Sequence, residues 1–238
     1  MPKGLLYSRK YPINDKISVI IPTIEEILED EAAYYNAVNA VIATPSDFMV
    51  QLDDVGIDFT SITSYELFLL LFPKIKEDGC PLIFGDLDLS KLEIAINDKN
   101  GTMAILDEAD NVIIDRAIHA QICKILLKIN NIERHDKIPA NEEAKKFMLE
   151  RARVKQLRAM RKKNKDSQLE DLIVAMVNTE QFKYGYEGVL NLTIYQFNAS
   201  VYQIIKKVNY DNLMFGCYSG TVNMKELSQD SLNWLSSK

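Results

Sequence analysis

The chain of 238 residues is poor in the residues that most enzyme signatures need. Nine glycines leave no Gly-rich phosphate loop of either common spacing, and no nucleophile elbow is present. Two histidines, His119 and His135, form no metal-ligand pair, and neither has a partner nearby in the sequence. Three cysteines, Cys80, Cys123 and Cys217, lie far apart, which excludes a disulfide framework and a close-spaced zinc or redox pair. Cys123 falls within an apolar helical pattern and reads as a buried thiol, in keeping with a reducing compartment. The longest apolar run, Leu67 to Phe72, is far shorter than the roughly 20 residues of a membrane span. Met1 to Lys10 has no apolar segment and no small-residue cleavage site, so no signal peptide is expected.

What is present is ordinary globular composition, 47% hydrophobic and 26% charged, enough to build a core without staples. The net charge of −6 is unevenly spread. From Thr23 to Asp110 acids outnumber bases by about 15. Between Arg151 and Lys165, by contrast, eight cations follow one another with no acid among them. That run reads as a solvated helix face, a surface for an acidic protein, or a nucleic-acid contact. The last needs Lys and Arg against phosphates, but the run holds no aromatic residue and the protein's pI is near 5.1.

The patterning predicts an α+β, mainly helical fold: an α+β part over 1–130, a linker over 131–140, and an all-helical part over 141–238. Ile17 to Ile21 predicts a strand closed by Pro22. Thr23 and Glu26 form a capping box for a helix running to about Ala43. Thr44 as cap, with Pro45 at the first helical position, predicts a short helix to Asp54. Thr63 and Glu66 open another that Pro73 ends or kinks. Leu82 to Phe84 reads as a strand. Leu92 to Asn97 and Thr102 to Leu106 flank Asn100-Gly101, a hairpin signal, and Val112 to Ile114 adds a third strand. Asp115 caps a helix through Ile129. Helices are then expected over Glu142 to Lys163, from the box Ser167/Glu170, from Thr193/Gln196 to Val208, and over Met224 to Trp234.

Two acidic stretches invite a metal reading. Asp86 and Asp88, two apart on an extended segment, share one side, a geometry able to hold Mg²⁺ for group transfer. The plainer reading is a pair of exposed acids on a half-buried strand. Asp53 to Asp58 is acidic enough for calcium but lacks the alternation and distal Glu of a calcium loop. Asn191-Leu192-Thr193 and Asn198-Ala199-Ser200 match the glycosylation sequon, but Thr193 is better read as a cap.

Ser167 to Ile173, Tyr195 to Val201 and Asn209-Tyr210-Asp211 resemble tail and baseplate-module proteins of tailed phages and prophages from Gram-positive bacteria. Gly220-Thr221-Val222 with Leu232 to Leu235, and upstream Met49 to Phe59 and Phe84 to Leu89, are similar to the same group. Some of these proteins look like the baseplate hub assembly chaperones of T4-type phages. The resemblance implies a tail or baseplate assembly factor whose partners are tail or hub proteins, acting in the infected cell's cytoplasm or on the virion. It carries over no catalytic residue and implies no cofactor. The expected partner face is Arg151, Lys155, Arg158, Arg161 and Lys162, with Tyr195 and Tyr202, whose ring edges suit interfaces. Two alternatives remain: a nucleic-acid binder using 151–165, and a metal-dependent enzyme at Asp86 and Asp88.

Overall fold

Burial of branched aliphatic residues starts the fold. Ile17, Val19 and Ile21 are fully buried, and they place β2 (Ser18–Ile20) antiparallel to β1 (Lys10–Pro12) with Tyr11 opposite Val19. The computed structural model describes residues 4–96, 101–134, 137–161 and 167–235. β1 has no strong strand pattern of its own; it is held by pairing, with Pro12, which has no N–H to donate, as its last residue.

Thr23 then caps α1 (Ile24–Glu29), with the anticipated reciprocal box: its hydroxyl accepts from Glu26 N–H and the Glu26 carboxylate accepts from Thr23 N–H at 2.7 Å. The helix expected to reach Ala43 is broken at Asp30 (φ −152°, ψ 78°). There the chain restarts as α2 (Glu31–Ile42), because the Asp30 carboxylate caps Ala33 N–H. The next helix, α3 (Met49–Asp54), begins four residues later than expected. Thr44 is no cap: its N–H and hydroxyl both donate to Asp47, closing a turn ahead of the helix. α4 (Ser64–Asp78) carries the predicted Thr63/Glu66 box, yet it runs through Pro73 to Gly79 (φ 71°). Phe68 and Phe72 before the proline and Ile75 after it are all buried on one side, and that continuous face outweighs the missing N–H.

Leu82 to Phe84 is helical, not a strand: α5 (Pro81–Phe84) follows left-handed Cys80 (φ 46°), with proline at its first position, and ends at Gly85 (φ 61°). A Cβ on Gly85 would sit 2.9 Å from Ile20 Cδ1, so close approach as well as φ demands glycine. The second sheet is the expected meander of β3 (Glu93–Ile96), β4 (Met103–Asp107) and β5 (Val112–Ile114), all antiparallel. Ile105 faces Ile114 across β4 and β5, both fully buried; the hairpin residues 97–100 lie outside the described residues. Asp115 caps α6 (Arg116–Ile129) by accepting from Ile118 N–H. The chain is thus α+β and mainly helical, with its sheets in the first half.

Beyond Pro139 come α7 (Glu142–Arg161), α8 (Gln168–Val177), α9 (Tyr186–Leu190) and α10 (Ile194–Tyr218), so α10 is ten residues longer than expected. The predicted last helix is instead two 3-10 turns, Met224–Glu226 and Gln229–Leu232. Ser167 accepts from Glu170 N–H as anticipated, but Glu31 is its long-range partner: the Ser167 hydroxyl and Leu169 N–H both donate to that carboxylate.

The two halves meet through their helix starts. Thr23 and Thr193 form an antiparallel bridge: Ile24 N–H donates to Leu192 C=O and Ile194 N–H to Pro22 C=O, each at 2.9 Å. Each helix thereby satisfies the other's first orphan donor. Ile24, Val189, Ile194 and Phe197 around the bridge are fully buried, in one cluster with Ile17, Phe68, Ile122 and Ile173. Each such side chain contributes about 1.5–3 kcal/mol through burial. Thr193 also keeps the Gln196 box, and Gln196 reaches on to Leu6 C=O. Replacing Thr193 by Ala is expected to lower unfolding stability by about 1 kcal/mol. Urea denaturation measures this; an unchanged midpoint would mean that the cap is idle.

Candidate functional site

α7 has few reasons of its own to dock. Glu142 and Glu143 suit the positive end of its dipole, and Asn141 accepts from Ala144 N–H, but among its described hydrophobic residues just Met148, Leu149 and Ala152 pack on a core cluster. They lie over Met49, Val50 and Leu52 of α3, with Phe59 beneath. Charge supplies the rest. Lys145 donates to Asp58 at 2.6 Å, and Arg153 donates to Asp53 and Asp54, both at 2.7 Å. The acidic stretch that suggested calcium is therefore the socket of a cationic helix. Hydrogen bonds from Lys145, then from the Thr60 hydroxyl and N–H, hold the Asp58 carboxyl down at about 2.

With that side turned inward, the opposite face stands in solvent. Phe147, Arg151, Val154 and Arg158 follow at helical spacing along it, with Leu157 beside them. Phe147 is 59% exposed, Val154 46% and Leu157 58%, and the Arg151 guanidinium lies 5.5 Å from the Phe147 ring centre. Of the residues picked from the sequence, Arg151, Lys155 and Arg158 are exposed along one groove. Arg161 ends α7, and Lys162 lies outside the described residues. Tyr195 and Tyr202 are on α10, half-buried, and do not line that groove. Phe147, Val154 and Leu157 were missed as surface residues. Their signal was available: apolar residues on two opposite faces of one helix, of which one body can cover only one.

Residues 161–237 match the family model described as the YomV second domain, a phage- and prophage-associated family. Comparison with curated proteins and with solved structures gave no match. The segment matching the YomV second domain starts at the last residue of α7 and takes in α8, α9 and α10. Its first part is core, but beyond Phe197 no described hydrophobic residue is fully buried. The second half of α10 is instead backed by the chain after it: Gln203 donates to Trp234 C=O, Lys207 lies 5.4 Å from the Trp234 ring centre, and Val222 closes on Gly216.

The residues with most chemistry are occupied structurally. His119 is buried, stacked 4.2 Å from Phe68, with Nε2 2.9 Å from Val41 C=O. It does have a local partner after all, Cys123 one turn on, whose sulfur is 3.3 Å from Nε2. Burial pushes His119 below its ordinary value and the Cys123 thiol up to about 11, which suits packing and opposes nucleophilic use. His135 lies outside the described residues. Asp86 and Asp88 sit in a turn after α5, not on a strand; both are exposed, and Asp88 accepts from Ser90 N–H and hydroxyl. Among the described residues no three His, Cys, Asp or Glu side chains come together as a metal site.

A carboxylate whose folded pKa lies below its ordinary 3.8 stabilises above that value and loses the contribution as pH falls towards 2. Amide exchange in α7 should therefore be faster in Asp58→Asn than in the wild type at pH 7, with the gap closing between about pH 4 and pH 2. Equal exchange at pH 7 would show that Asp58 does not hold α7.

Proposed function

We propose that this chain is a phage tail or baseplate assembly factor that binds a partner protein through the outer face of α7. The observation that carries this reading is the alternation of exposed Phe147, Val154 and Leu157 with Arg151, Lys155 and Arg158 on a helix clamped to the body by Arg153 and Lys145. Apolar side chains in such a patch contribute affinity when a partner excludes water from them, and the cations set orientation and encounter rate. A partner with an apolar patch rimmed by carboxylates fits that face. The phage association comes from the match over 161–237. The assignment to tail or baseplate rests on the resemblance of Ser167 to Ile173 and Tyr195 to Val201. The role requires no reacting centre: the chain would hold a tail or hub subunit in the infected cell until assembly. No helix among the described residues is long and apolar enough to cross a membrane.

Co-expression with proteins encoded by neighbouring tail-module genes, followed by size-exclusion chromatography, tests the reading. A stable complex is expected with one of them, weakened roughly tenfold or more by Arg151→Glu with Arg158→Glu. Phe147→Ala is expected to weaken it without altering its salt dependence. Elution alone in every pairing would defeat the assignment, and a complex indifferent to the double reversal would remove α7 from it.

A further inference from the structure

A second cationic surface lies beside α6, away from the outer face of α7. A cleft of about 620 Å³ runs beside α6, with Leu127 and Ile132 in its wall and Arg116, Lys124, Lys128 and Arg134 around it. Arg116, Lys124 and Lys128 are exposed; Arg116 lies near enough to Glu66 to help lower that carboxyl, Lys124 and Lys128 form no ion pair among the described residues, and Arg134 is fixed by donating to Ser64 Oγ at 2.7 Å and to Ala43 C=O. Arg134 and Ile132 also line a hollow of about 490 Å³ that reaches Lys137, and Lys137 lines the groove of about 1030 Å³ that holds Arg151, Lys155 and Arg158.

We infer that these adjoining hollows act as one channel that binds an extended acidic polypeptide segment of the partner, with α6 as a second anchor beyond the α7 face. The inference rests on the partner-binding reading and adds to it the chemistry and course of the bound segment. Geometry supports it. Lys124 and Lys128 are one helical turn apart, about 6 Å along the axis, close to the roughly 7 Å between same-side residues of an extended strand. From Arg116 to Lys128 the helix covers about 18 Å, the length of five or six extended residues. The channel also holds Glu133, Asp47 and Glu150. These would repel an unbroken row of phosphates, but a peptide can meet them with N–H donors and place carboxylates only beside the cations. The aromatic rings lining the α6 stretch, Tyr65 and His119, are buried, so it offers no platform for stacked bases.

A fluorescein-labelled ten-residue peptide of alternating Glu and Ser, whose carboxylates fall on one side of an extended chain, titrated into the full chain at about 50 mM salt and followed by anisotropy, tests this, with a labelled ten-nucleotide thymidine strand as comparison. The peptide should bind more tightly than the oligonucleotide, and Lys124→Ala with Lys128→Ala should weaken it roughly tenfold. Lys183→Ala with Lys225→Ala removes the same charge elsewhere and should leave it unchanged. Arg151→Ala with Arg158→Ala should weaken it as well, because the inferred channel runs past both helices. Equal loss from the Lys183/Lys225 pair, no loss from the Lys124/Lys128 pair, or tighter oligonucleotide binding would overturn the inference. If the Lys124/Lys128 pair leaves both peptide and partner binding intact while α7 reversal abolishes the complex, the channel fails and the α7 reading survives.

Discussion

The exchange of hydrogen bonds between the starts of α1 and α10 is the constraint on which the architecture turns. The first N–H of a helix has no partner inside it, and burying that group unpaired is costly. Here two such donors are brought together and each takes the carbonyl that precedes the other helix's cap. Because Ile24, Ile194 and Phe197 pack around the bridge without solvent, displacing either helix would expose apolar surface and strand two polar groups at once. That coupling aligns α10 against α6, and with it the segment that matches the YomV second domain. A one-sided contact places α8: Glu31 at the start of α2 accepts from the Ser167 hydroxyl and from Leu169 N–H.

α7 is held by a different kind of force. Its apolar contact is small, and its fastening is charge on charge at the surface, where individual pairs contribute little. Their arrangement matters more than their sum. Asp53, Asp54 and Asp58 lie along one side of the helix and fix both its rotation and its register, so Phe147, Val154 and Arg158 must face outward. A cationic helix seated in an acidic socket presents its remaining cations away from that socket. The same unequal distribution of charge that shapes the fold thus creates the surface available to a partner.

What was legible in the sequence was local. Thr23, Thr63, Asp115 and Thr193 announce their helices because capping joins residues three apart, and the β3–β4–β5 meander follows from alternation around Asn100-Gly101. The break at Asp30 was hidden because an acid near a helix start satisfies the dipole and the cap equally well. Leu82 to Phe84 has strand composition, but the left-handed turn at Cys80 and Pro81 decides its conformation. The candidate face was half legible: the cations stood out, whereas the partners of Lys145 and Arg153 lie 87 and 100 residues away and no local pattern could name them. Without them, the exposed side of α7 could not be chosen.

The bridge between α1 and α10 joins both halves into one cooperative body on which α7 is a more weakly held outer helix. Native-state hydrogen exchange in increasing urea measures this directly. The amides of Ile24, Ile122 and Ile194 are expected to share one opening free energy equal to that of global unfolding, while α7 amides open at lower cost. If α8 to α10 exchanged together well below the energy of α1 and α6, the halves would be separable units and the bridge would not couple them.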